Sequence, residues 1–167
     1  QANSDAYFGY VNIRDISDNV QFGISSNIPA SQIANFLNNP PTANAGADYV
    51  IPKSTAFVLE GAGSDPDGNA ITYNWEENDP GDPNSTAAPT ATRAVGPMFR
   101  SKTATTSPNR FMPPMANILT GATSTTMEVC PSVGRDLNFS LTVRDNVATG
   151  GQTASDLMKI TIDATAG

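Results

Sequence analysis

The sequence contains no histidine and a single cysteine, Cys130. Without histidine, none of the residues can serve as an imidazole ligand or an imidazole general base, so HExxH-type zinc chemistry is excluded within this stretch. With one cysteine no intrachain disulfide can form. Charge is also scarce: 15% of residues are charged, and acids outnumber bases 16 to 9, for a net charge of −7. A nucleic-acid binder needs a basic stripe, and none is present. Anionic membranes are disfavoured for the same reason, and no apolar run approaches the roughly 18 residues needed to span a bilayer.

What remains is small, polar and β-prone. Hydrophobic residues make up 38% of the 167, and much of the rest is Thr, Ser, Asn, Gly and Pro. That composition suits strands and turns better than amphipathic helices, which carry Glu, Lys and Arg on their wet face. The length fits one domain, or one domain with an appendage, and is enough to build a core without staples.

Residues 1–39 read differently from the rest. Ala6–Val11 is aromatic and strand-like. Ile13, Ile16 and Val20 fall at helical spacing, and 29–37 forms a second helix candidate with Pro29 in its first turn. Asn38-Asn39-Pro40-Pro41 ends it, because a residue before proline is pushed out of the helical region.

From residue 42 the period changes to two. Expected strands are 42–45, 49–51, 57–60 and 71–76, the last with Ile71, Tyr73 and Trp75 on one face. Near the C-terminus, Leu137, Phe139, Leu141 and Val143 alternate with polar residues. A loop at 145–151 leads to a strand at 156–163 with Met158, Ile160 and Ile162 inward. Short strands separated by turn signals predict an all-β, antiparallel sandwich. Between them, about 78–130 is expected to be a long irregular insertion broken by prolines, pinned to the core through 110–112 and 118–119.

Five features carry candidate chemistry. In Ser64-Asp65-Pro66-Asp67-Gly68, two carboxylates two residues apart sit on a Gly-terminated turn. Such a turn can offer oxygens to a hard cation, or simply close a corner as an Asx-turn. Trp75, in the company of Ile71 and Tyr73, is expected in the core and not as an exposed binding platform. Glu76, Glu77, Asp79 and Asp82 are clustered, but neighbouring acids on a strand face opposite ways, which predicts a solvated loop and no acid–base pair. Cys130, in an apolar context, is expected to be a buried small hydrophobe. Asn84 and Asn138 match the glycosylation acceptor pattern weakly.

The motifs Ala43–Asp48, Leu59-Glu60-Gly61, Ser64–Gly68, Tyr73-Asn74-Trp75 and Leu141–Asn146 resemble polycystic-kidney-disease (PKD) domains, the Ig-like sandwiches of bacterial secreted proteins. Ser4–Phe8, Gly96–Ser101 and Pro131–Arg135 are similar to the region just downstream of the catalytic domain in secreted reprolysin-like zinc metallopeptidases. The resemblance implies an Ig-like, PKD-like antiparallel β-sandwich over 40–167, with an insertion at about 78–130. It implies that 1–39, a short mixed segment, is the tail of a peptidase domain whose zinc site lies elsewhere in a longer chain. It further implies a calcium ion held by Asn38 or Asn39 with Ser64, Asp65, Asp67 and Asp145. The function implied is that of a non-catalytic, extracellular accessory module that spaces or stabilises its peptidase or engages an insoluble polymer or protein substrate. A structural, self-associating extracellular subunit is the alternative.

Overall fold

The computed structural model describes residues 9–22, 38–81, 88–148 and 150–166. The chain runs α1 (Tyr10–Phe22), β1 (Tyr49–Pro52), β2 (Phe57–Leu59), β3 (Thr72–Glu77), β4 (Arg110–Met112), α2 (Met115–Ile118), β5 (Arg135–Arg144) and β6 (Thr153–Asp163). Four strands form one sheet in the order β1-β6-β5-β3, and β2 pairs with β4 in a second. The described structure is mostly β, as the composition predicts.

β5 and β6 are the spine. Their antiparallel register runs from Arg135 opposite Ile162 to Arg144 opposite Thr153. Leu137, Phe139, Leu141, Val143 and Ile160 are fully buried, and Met158 and Ile162 nearly so. This is the inward set that the two-residue period predicts. The alternation is not clean, however: Ser140 and Thr142, on the other face of β5, are buried as well. Thr142 meets Ser155 of β6 hydroxyl to hydroxyl at 3.1 Å.

β3 joins the far side of β5 antiparallel, with Trp75 opposite Leu141. Trp75 is buried, as expected, and its indole N–H donates to the Pro108 carbonyl at 2.8 Å. That bond resolves the cost of burying a polar ring nitrogen. Gly61 permits the close approach: a Cβ there would lie 2.7 Å from Leu141 Cδ2 and 3.1 Å from the Trp75 ring.

Three expectations are corrected. β1 pairs parallel to β6, Tyr49 opposite Ile160, so the large sheet is mixed and not purely antiparallel. The two strands are far apart in sequence, and no tight turn dictates their direction. The expected strand at 42–45 reduces to one bridge between Asn44 and Ala62. The 78–130 insertion contains β4 and α2 and supplies core residues. Its Met98, Phe99, Met112 and Val129 are buried, and Phe99 packs edge-on against Phe57 of β2 at 5.4 Å between centroids. Of the residues expected to pin the insertion, Met112 does so in the core and Arg110 does so by donating to the Trp75 carbonyl at 2.6 Å. Phe111 and Leu119 face solvent.

α1 fulfils the helical spacing seen from Ile13 to Val20, and it takes in Tyr10 and Val11, which the aromatic pattern assigned to a strand. Residues 6–8 of that strand and the helix candidate at 29–37 lie outside the described residues. The Tyr10 N–H, at the start of α1, donates to Glu76 Oε2 at 2.7 Å. An acid at the positive end of a helix is favourable, and it ties α1 to the end of β3. Among the described residues no helix is long and apolar enough to cross a membrane.

Candidate functional site

The acidic turn 64–68 sits at a corner where three parts of the chain meet. Gly68 takes φ of 77°, a left-handed conformation that glycine adopts without strain. The Asp65 carboxylate closes the turn by accepting the N–H groups of Asp67 and Asn69, each at 3.0 Å through Oδ1. The expected Asx-turn is therefore present. Its other oxygen, Oδ2, is buried and has no hydrogen-bond partner.

The segment leading into β1 reaches this turn through both asparagines. Asn39 donates its backbone N–H to Asp67 Oδ2 at 2.6 Å and its amide to Asp67 Oδ1 at 2.9 Å. Asn38 donates to Asp145 Oδ2 at 2.6 Å and to the Gly150 carbonyl at 3.0 Å, and accepts from the Asn69 amide at 3.0 Å. The Gln152 amide donates to the Asn38 carbonyl. Asp145, buried in the β5–β6 loop, also accepts N–H groups from Val147 and Gln152.

The electrostatics follow from these contacts. The N–H and amide of Asn39 hold the Asp67 carboxyl below its ordinary range, although desolvation and, less, the nearby Asp145 push the other way. Burial pushes Asp145 up, but the Asn38 amide and the Val147 and Gln152 N–H groups outweigh it and leave it below the usual carboxylate value. Both groups are ionised at neutral pH.

Five of the six residues expected from sequence thus converge: Asn38, Asn39, Asp65, Asp67 and Asp145. Ser64 does not join them. Its hydroxyl faces the Thr42 hydroxyl at 2.9 Å, and its N–H and carbonyl are also used by Thr42. Asn69 and Gln152 are part of the corner and were not anticipated. Asn69 had a signal, since it directly follows the turn glycine, whereas Gln152 had none. Among the described residues no three carboxylate, thiol or imidazole side chains gather as tightly as a metal ion would draw them. Amides and backbone N–H groups hold the acids in place. The donor set is nonetheless oxygen-rich and anionic, as a hard cation requires, and Asp65 Oδ2 is an oxygen in want of a partner.

The other acids are not the solvated loop that was expected. Glu76 accepts from Tyr10 and from the Ser101 hydroxyl. The Glu77 and Asp79 side chains are buried beside Arg135. Asp82 and Asn84 lie outside the described residues. Asn138 spends its amide on Asp79 Oδ1 at 2.6 Å. Glu128, also buried, meets Arg110 at 2.6 Å and Lys102 at 2.9 Å. Cys130 is buried as expected, and burial pushes its thiol up to about 12, so it stays protonated and unreactive. A cavity of about 260 Å³ opens beside the outer edge of β3, between Trp75, Lys102, Arg110, Phe111 and Met115.

No known protein-family model, curated protein or solved structure matches the chain.

Proposed function

We propose that the chain is a PKD-like, Ig-like β-sandwich module that serves, without catalysis of its own, as an extracellular accessory domain of a secreted bacterial zinc metallopeptidase. On this reading 40–167 is the module and 1–39 is the tail of the peptidase domain. The corner joining them holds calcium. Asp65, Asp67 and Asp145 supply charge, and Asn38 and Asn39 supply amide or carbonyl oxygen. A calcium ion there would fix the angle between the preceding segment and the sandwich by crosslinking the lead-in, the turn and the β5–β6 loop.

The observation that carries the reading is the convergence of those five residues from positions as far apart as Asn38 and Asp145. The PKD-like motifs and the peptidase-like flanks support the parentage. The absence of histidine from the sequence accords with a non-catalytic role. Engagement of an insoluble polymer such as collagen or chitin rests on analogy with PKD modules.

Two experiments separate the parts of the reading. The coding sequence upstream of Gln1 should contain HExxH; a different domain there contradicts the parentage. Retention on collagen or chitin in a sedimentation assay supports substrate engagement, and full recovery in the supernatant leaves the module a spacer.

A further inference from the structure

Under the end of β3, three ionisable side chains meet almost out of reach of water. The side chain of Glu77 is 0% exposed, that of Asp79 6% and that of Arg135 4%. Arg135 Nη2 lies 3.1 Å from Asp79 Oδ2 and 3.9 Å from Glu77 Oε1. The guanidinium also donates to the carbonyls of Arg93 at 3.1 Å and Gly96 at 2.7 Å. Asp79 Oδ1 accepts the backbone N–H and the side-chain amide of Asn138. Glu77 Oε2 accepts the N–H groups of Met98 at 2.7 Å and Phe99 at 2.6 Å, whereas Glu77 Oε1 has no hydrogen-bond partner.

Two ionised carboxylates against one guanidinium would leave an uncompensated negative charge in the interior, which is strongly disfavoured. Against this guanidinium the pair is balanced when one of the two acids holds a proton. Both oxygens of Asp79 already accept from donors, so a proton there would displace one of them. Glu77 Oε1 is bare. A proton on that atom neutralises the surplus charge and gives the oxygen a donor to offer Asp79, and Oε2 goes on accepting from Met98 and Phe99. Glu76 points to the opposite side and caps α1, and the Lys159–Asp136 pair of β6 and β5 is about half exposed.

We propose that Glu77 is a protonated carboxylic acid in the native protein near neutral pH, and that the proton it shares with Asp79 is an alkali-sensitive latch fastening segment 93–99 to the ends of β3 and β5. Met98 and Phe99, which this segment delivers to the core, are held through their N–H groups by the same side chain. Losing the proton places a net negative charge under them.

Burial, with the neighbouring Asp79, pushes Glu77 up to about 8, against the pull of the Phe99 and Met98 N–H groups. The native state then keeps a proton that the unfolded chain releases near the ordinary value of 4.5. The stabilisation is complete below that value and is lost as pH rises toward about 8. With no histidine in the sequence, little else titrates in this window beyond an α-amino group.

The test is a carboxyl-carbon NMR titration of glutamate-labelled protein together with thermal melting across the same pH range. One glutamate should titrate near pH 8, and the melting temperature should fall between about pH 5.5 and 8.5. In Glu77→Gln, whose amide mimics the protonated acid, the melting temperature should be flat over that range and the Met98 and Phe99 amides should remain protected from exchange. If every glutamate titrates below about pH 5.5, or Glu77→Gln melts with the wild-type pH dependence, the latch is overturned. Should Glu77→Gln fail to fold, the wild-type carboxyl titration alone decides.

Discussion

The Asn38 amide nitrogen lies 2.6 Å from Asp145 Oδ2, joining the segment that leads into β1 to the loop between β5 and β6. This contact spans most of the described β region and sits beside the acidic turn. Removing either partner strands the other's polar atoms beneath the surface.

Asn38→Ala is therefore expected to destabilise the protein by about 1–3 kcal/mol, the usual penalty for leaving a buried acceptor short of a donor. Asp145→Ala should cost at least as much, since the N–H groups of Val147 and Gln152 lose their acceptor too. Urea denaturation of each variant measures the difference. A change below about 0.5 kcal/mol in both would show that the corner is not a structural joint.

Acid should loosen the same corner. Asp67 and Asp145 in the corner are held below the ordinary carboxylate value by hydrogen bonds, and so, at the far end of β6, is Asp163. Each contributes stability that is present above its unfolded value of 3.8 and lost as pH falls through the lower folded value. Melting followed from pH 5 down to about 2 should show this loss. Asp145→Asn, which cannot titrate, should lie lower at pH 5 and fall less steeply.

Gly61→Ala tests the packing around the single tryptophan. The added Cβ would meet Leu141 Cδ2 at 2.7 Å, the Pro108 carbonyl at 3.1 Å and Trp75 Cζ2 at 3.1 Å. Overpacking of this kind costs about 1–3 kcal/mol. Displacing the ring should also weaken its bond to Pro108. Trp75 is the only tryptophan, so its fluorescence spectrum should shift in the folded state. Wild-type stability and spectrum in the variant would contradict the packing described.

Glu128→Ala removes the acid that faces both Arg110 and Lys102. The Arg110 side chain is 12% exposed, against 48% for Lys102, so most of the effect should fall on Arg110. A loss of up to about 3 kcal/mol is expected, because breaking a buried pair leaves the remaining charge uncompensated. The double variant with Arg110→Met should recover part of that loss in denaturant unfolding. Additive losses would show that the two side chains do not interact.

Much of the sheet was legible in the sequence. Period-two alternation located β5 and β6, and the company of Ile71 and Tyr73 placed Trp75 inward. The parallel partnership of β1 and β6 was not legible, because register between distant strands leaves no local pattern. Nor was the contribution of Met98 and Phe99. They sit in a short stretch of Gly, Pro, Ser and Thr with no periodicity, and Phe99 packs against Phe57 and Phe139 in contacts that only the tertiary fold creates. The acidic turn was legible as a turn, and its partners came from a family resemblance. Ser64 fell away because its hydroxyl finds Thr42 first. Glu77 was read as solvated because strand-end acids usually are. Its burial depends on Arg135 and on N–H groups from the insertion, none of them local.

The most direct test of the calcium corner is thermal melting with and without calcium, in wild type and in Asp65→Asn and Asp67→Asn. Calcium at millimolar concentration should raise the wild-type melting temperature by several degrees, and chelator should reverse the rise. Both variants should lose the response, as binding to the folded state alone requires. An unchanged wild-type melting temperature, or an equal rise in the variants, would contradict the account.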